Sequence, residues 1–277
     1  MKKTKVLVPA LAVLALGMAA SVTGTVAWYA ANTKVTGSGM SVSATVAKNL
    51  VITNSGKGSW AASAIATTTT ASQLAPISTA DFDDKAAYFA SSDGSKVDYG
   101  TGHLNDGAVV SGVTIANWAE GVNGGSVRLD TFYVKLDALS SVHVDLKLES
   151  VTVTEPANNI TKALRFGLKV GSLDSIYSVT GGDETYNALS AAGTVDSSKS
   201  SGTAYKDSSN NALTTSVTAE NAMPSDTTVV SNLAGGTEVK FEIFSWYEGQ
   251  DAACTSANSI NPETISINFQ FGYVDAA

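Results

Sequence analysis

The sequence predicts an all-β protein, an antiparallel β-sandwich of jelly-roll type with one or two short helices and a long polar insertion. Three observations predict it. Five long stretches alternate apolar and polar residues with a period of two. Gly-rich segments at residues 121–125 and 181–183 read as turns. Only one stretch of the chain reads as a helix.

Taken in order, residues 40–47 alternate and residues 49–53 read as a short buried strand. Residues 60–75 are rich in Ala and Thr with weak periodicity, which reads as a loop. Ser78 or Thr79 then caps a helix over residues 81–90, whose early acids suit the positive helix end. Phe82, Tyr88 and Phe89 are its means of docking on a sheet. The clean strands follow at residues 127–136, 142–153, 164–170, 239–246 and 265–271. Successive strand side chains point to opposite faces, so each stretch predicts one buried face and one wet face. Residues 181–228 are dominated by Ser, Thr, Asp, Asn and Gly, and are expected to decorate an edge or end of the sandwich.

The first 27 residues read as a secretory leader. Lys2, Lys3 and Lys5 precede an apolar run over residues 6–20, and small residues lead on to Ala27. A retained anchor is the competing reading, but the run is shorter than the roughly 20 residues a span needs. Cleavage between Ala27 and Trp28 leaves a secreted or cell-surface chain with no later apolar run that would stay in a membrane. The one cysteine, Cys254, rules out an internal disulfide framework, so packing and hydrogen bonds must hold the fold. The formal net charge of -8 argues against nucleic acid, which needs clustered Lys and Arg.

Little in the chain points to catalysis. The two histidines are His103, in a Gly-rich turn, and His143, on the outward row of a strand. No His-Glu-x-x-His motif and no Gly-x-Ser-x-Gly elbow is present. The expectation is a non-enzyme without a cofactor. Residues 246–254 invite two readings. Glu248 and Asp251 form a weak calcium candidate through their oxygens. In the preferred reading Trp246 and Tyr247 anchor the sheet end, Gly249 turns the chain, the acids bond loop amides and Cys254 is a buried small residue.

The junction Gly24-Thr25-Val26-Ala27-Trp28-Tyr29, followed by Thr36-Gly37-Ser38-Gly39-Met40-Ser41-Val42-Ser43-Ala44, resembles the TasA/camelysin family. These are secreted fibre and biofilm-matrix proteins of Gram-positive bacteria. The chain departs from that pattern at Ala30, Ala31 and Asn32, where the family often carries an acid, and in the insertion at 181–228. The resemblance implies removal of the leader after Ala27 by a dedicated signal peptidase. It also implies self-assembly by donor-strand addition, with residues 28–47 as the assembly strand and residues 48–277 as the sandwich that receives it. Trp28, Tyr29, Val35, Met40, Val42 and Val46 are then the residues of the inserted face; an ordinary first strand within the chain's own sheet is the competing reading. The expected function is a structural subunit of an extracellular fibre or biofilm matrix. The alternative is a monomeric cell-surface adhesin or glycan-binding module, which an exposed aromatic platform on Trp60, Trp118 or Tyr205 would favour. A secreted protease is suggested by the camelysin name alone.

Overall fold

The computed structural model describes residues 41–44, 50–54, 58–65, 77–91, 112–115, 127–154, 162–179, 182–201, 204–254 and 266–276. The strands are β1 (Ser41–Ala44), β2 (Leu50–Asn54), β3 (Ser63–Ile65), β4 (Ser78–Thr79), β5 (Tyr88–Ser91), β6 (Gly112–Ile115), β7 (Arg128–Leu136) and β8 (His143–Thr154). They continue as β9 (Leu164–Val170), β10 (Leu173–Ser178), β11 (Thr185–Leu189), β12 (Gly193–Thr194), β13 (Thr214–Thr218), β14 (Thr227–Ala234), β15 (Val239–Tyr247) and β16 (Ser266–Asp275). The five alternating stretches appear as β7, β8, β9, β15 and β16, each within a few residues of its expected bounds.

The molecule is an all-β sandwich. One sheet has the order β14-β8-β16-β1-β3 and the other β10-β9-β15-β7-β2. Their inner rows follow from the period-two pattern. Leu146 and Leu148 of β8 and Phe269 and Phe271 of β16 meet Phe132 and Val134 of β7, Phe166 and Leu168 of β9, and Phe241 and Ile243 of β15. Phe241 is the centre of this core, edge-on to Phe269 at 4.8 Å and to Phe271 at 5.3 Å. Such pairs add about 0.5–1.5 kcal/mol each beyond their buried area.

Backbone bonds join the two sheets along both sides. On one side Ile52 and Ala61 exchange hydrogen bonds of 2.8 and 3.0 Å, so the chain leaves β2 and reaches β3 in the opposite sheet. On the other, Ser172 N donates to Val229 O at 2.9 Å in the turn from β9 to β10. That turn needs Gly171, which has φ +55° and whose added Cβ would stand 1.9 Å from Val229 O.

The expectation of one wet face per strand holds for the first sheet, where His143 and Asn268 are exposed. It fails for the second. Leu129, Ile176, Phe244 and Trp246 on its outer face pack against Ile77, Phe82, Tyr88, Tyr186 and Ala188. A third layer built from β4 to β6 and β11 to β13 therefore covers it. The polar insertion forms much of that layer and lies across a sheet face, not at an edge or end. Its few large side chains are used economically: Leu189, Tyr205 and Leu213 join Phe89 and Val113 in a small core of their own.

The helix expected over residues 81–90 is not formed. The chain makes a single 3-10 turn, Lys85–Ala87, capped by Asp84, whose carboxylate accepts from Ala86 N at 2.9 Å. Ser78 and Thr79 are strand residues, and Thr79 Oγ1 bonds both Asp81 N and Ala87 O. Tertiary packing overrides the local signal. An extended β5 lets Tyr88 stand edge-on to Trp246 at 6.2 Å while Phe82 stands edge-on to Phe244 at 5.3 Å. Phe89 turns the other way, into the layer's own core.

Gly167 makes the docking of this layer possible. A Cβ there would stand 2.1 Å from the Phe82 ring. Gly167→Ala is expected to push Phe82 off the sheet and to destabilise the protein by about 1–3 kcal/mol, the cost of overpacking. Urea unfolding with an unchanged slope would register it; an unshifted midpoint would show that Phe82 is not held there.

Candidate functional site

Two places answer to the sequence-based expectations. The first is the N-terminal strand. Of Trp28, Tyr29, Val35, Met40, Val42 and Val46, only Val42 falls among the described residues; Ala27 and the other five lie outside them. β1 runs parallel to β16, pairing Val42 with Phe269 and Ala44 with Phe271, and antiparallel to β3. The other pairings between named strands are antiparallel. β1 thus fills a slot between β16 and β3. Phe269 and Phe271 belong to the main core, so the slot opens on apolar ground. Among the described residues the edge strand β3 pairs only with β1, but the residues that lead into it are tied to the second sheet. Ala61 bonds β2 through two backbone hydrogen bonds, and Lys135 Nζ sits 4.0 Å from the Trp60 ring centre.

The second place is residues 246–254, at the end of β15. Trp246, Glu248, Gln250, Asp251 and Cys254 are all at most 3 % exposed. Gly249 N donates to Ile77 O and Ile77 N to Tyr247 O, so the segment is zipped to the third layer. Glu248 accepts from Trp246 Nε1 at 3.2 Å and from Gln250 N at 3.0 Å. Asp251 Oδ2 accepts from Arg165 Nη2 at 2.6 Å and from Asp183 N at 3.0 Å, while Oδ1 accepts from Ala253 N at 2.7 Å. These contacts match the preferred reading of the segment: the acids bond loop amides, and Cys254 is buried in the main core. Asp251 is committed to a guanidinium, which is a poor start for a cation site. Among the described residues no group of three or more His, Cys, Asp or Glu stands together as metal ligands do.

The electrostatics follow from burial. Arg165, on the outer face of β9, is 0 % exposed and its charge is met by Asp251. Glu248 has no such cation, and burial pushes its carboxyl up to about 7, against the pull of Ser78, Gln250 N, Arg165 and Trp246. Burial also raises the hydroxyls of Tyr88 and Tyr186 well above the phenol range, and Glu248 pushes both the same way. Tyr205 is pushed up to about 12. The cluster is a buried polar joint between the sandwich and the third layer.

Sequence reasoning missed Arg165, which lies 86 residues from Asp251 and sits on what reads as a wet row. The available signal was Gly167 on that same row, since a glycine inside a strand often marks a close approach of other chain. Elsewhere, His143 is exposed at the start of β8 with Nδ1 3.3 Å from Ser141 O. Tyr205 is buried and Trp60 is half-buried beneath Lys135. His103 and Trp118 lie outside the described residues. An open cleft of about 480 Å³ is lined by Asp81, Asp83, Asp174, Ile176 and Glu220, and Lys169 bridges Asp83 and Asp174 across its rim.

No protein-family model, no curated protein and no solved structure matches the chain.

Proposed function

We propose that the protein is a secreted structural subunit of an extracellular fibre or biofilm matrix, assembling when the N-terminal strand of one copy takes the place of β1 in the next. The observation that carries this reading is the seating of β1. It is four residues long, it is parallel to its main neighbour, and it lies between β16, which is paired to β8 on its other side, and the edge strand β3, whose lead-in residue Ala61 is tied to β2. A strand from a second copy would make the same backbone bonds in the same register, so exchange conserves the contacts. Parallel ladders are slightly weaker per residue than antiparallel ones, which suits an exchangeable strand. A strand passed head to tail does not close on itself and gives a filament.

Leader removal after Ala27 would free that strand, in line with the TasA/camelysin resemblance of the junction. The competing class, a monomeric adhesin or glycan-binding module, needs an exposed aromatic platform. Tyr205 is buried and Trp60 is covered by Lys135, which weighs against it.

Negative-stain electron microscopy tests the proposal. The chain starting at Trp28 is expected to form filaments, and the chain starting at Lys48 only particles. Val42→Pro in the longer chain removes one ladder donor and is expected to suppress filaments while the circular dichroism stays that of a β protein. Monodisperse particles from the longer chain at all concentrations would sink the fibre reading.

A further inference from the structure

Arg128 and Asp130 stand where an apolar core is expected to run. On β7 the side chains of Arg128, Asp130, Phe132, Val134 and Leu136 fall on one face, and the last three lie in the core between the sheets. On β15 the matching row is Phe241, Ile243, Ser245 and Tyr247. Ser245 is directly across from Arg128 and has Phe166 of β9 on its other side. The inner face thus turns polar over its last two rungs, Asp130 with Ile243 and Arg128 with Ser245.

The side chains of Arg128 and Asp130 are 2 % and 1 % exposed. The carboxylate takes Arg128 Nε at 2.6 Å and Nη2 at 3.2 Å. Arg128 Nη1 and Ser245 Oγ are also closed to solvent, and neither has a hydrogen-bond partner among the described residues. A buried donor or acceptor left without a partner is costly, more so when it is charged. Two orphans on one rung call for a small polar guest that meets both. Charge decides which guest. The Arg128–Asp130 pair is already neutral, so an anion would bring an unpaired charge into the core. The guest must accept from an N–H and either donate to or accept from a hydroxyl.

We propose that Arg128 Nη1 and Ser245 Oγ hold an ordered water molecule sealed inside the end of the sandwich core. Such waters bond otherwise unsatisfied polar groups and belong to the fold. This one lets the chain keep a charged pair on an inner row without opening that end of the core.

The test combines a high-resolution crystal structure of the protein with water relaxation dispersion in solution. An enclosed water within about 3 Å of both atoms is expected, with one long-lived water in the dispersion profile. Ser245→Val fills the space and is expected to remove that water. So is the double variant Arg128→Met, Asp130→Leu, which replaces the pair by apolar groups of similar size; either variant suffices should the other fail to fold. Arg128 Nη1 bonded to a protein carbonyl, a dispersion profile unchanged by a folded variant, or bromide occupying the position in soaked crystals would each overturn the proposal.

Discussion

Asp251→Ala is expected to destabilise the protein by about 3–5 kcal/mol, the loss that follows when one partner of a buried ion pair is removed. Arg165 is wholly enclosed, and its contact with Asp251 is 2.6 Å. Its Nη1 already donates to Lys162 O and its Nη2 to Asp183 O, so the guanidinium cannot swing out to water without breaking both. The alanine variant would also orphan the amides of Asp183 and Ala253. Urea denaturation should show a large fall in midpoint. The double variant Arg165→Met, Asp251→Ala should lose less than the sum of the singles, because the stranded charge is gone. A single variant within 1 kcal/mol of the parent, or strict additivity of the two changes, would mean that the pair does not hold the third layer to the sandwich.

Period-two alternation made β8, β9 and β15 legible from residues alone, because an antiparallel strand with one core face must alternate. Whether the second face is wet was not legible. That depends on what lies over it, and the cover comes from residues 77–91 and 185–219, whose polar composition hides a handful of well-spent side chains. Tyr186 and Ala188 share one face of β11 and Leu189 serves the other, within a run too short to stand out. The helix expected over residues 81–90 shows the same limit from the other side. Local signals for a helix were present in the Ser78 or Thr79 cap and the early acids, but Tyr88 gains more by reaching Trp246 along an extended strand than by turning. In the polar joint, the carboxylates of residues 246–254 and their amide partners followed from local turn chemistry. Arg165 did not, since long-range pairing leaves no trace in a local window.

Glu248 carries the other large effect, and its sign is opposite to that of an ordinary salt-bridged carboxylate. Among the described residues the buried cation of the joint is Arg165, and Asp251 takes it directly. Glu248 is 0 % exposed, and burial raises its carboxyl from 4.5 to about 7. Between those values the folded protein keeps a proton that the unfolded chain has released, so stability falls as pH rises. The stabilisation is whole below about pH 4.5 and is lost as pH passes through about 7, a total of roughly 3 kcal/mol. Glu248→Gln removes the ionisation but places an amide N–H against the Trp246 and Gln250 donors, so its absolute stability mixes two effects. The slope does not. Stability measured by urea unfolding from pH 4 to pH 9 should fall for the parent relative to the variant by roughly 3 kcal/mol across that window, with the difference flat above about pH 8. Parallel curves would place the proton elsewhere. A parent that gains on the variant as pH rises would mean that Glu248 is ionised in the folded state and held by Ser78, Trp246 and the Gln250 amide more strongly than burial opposes it.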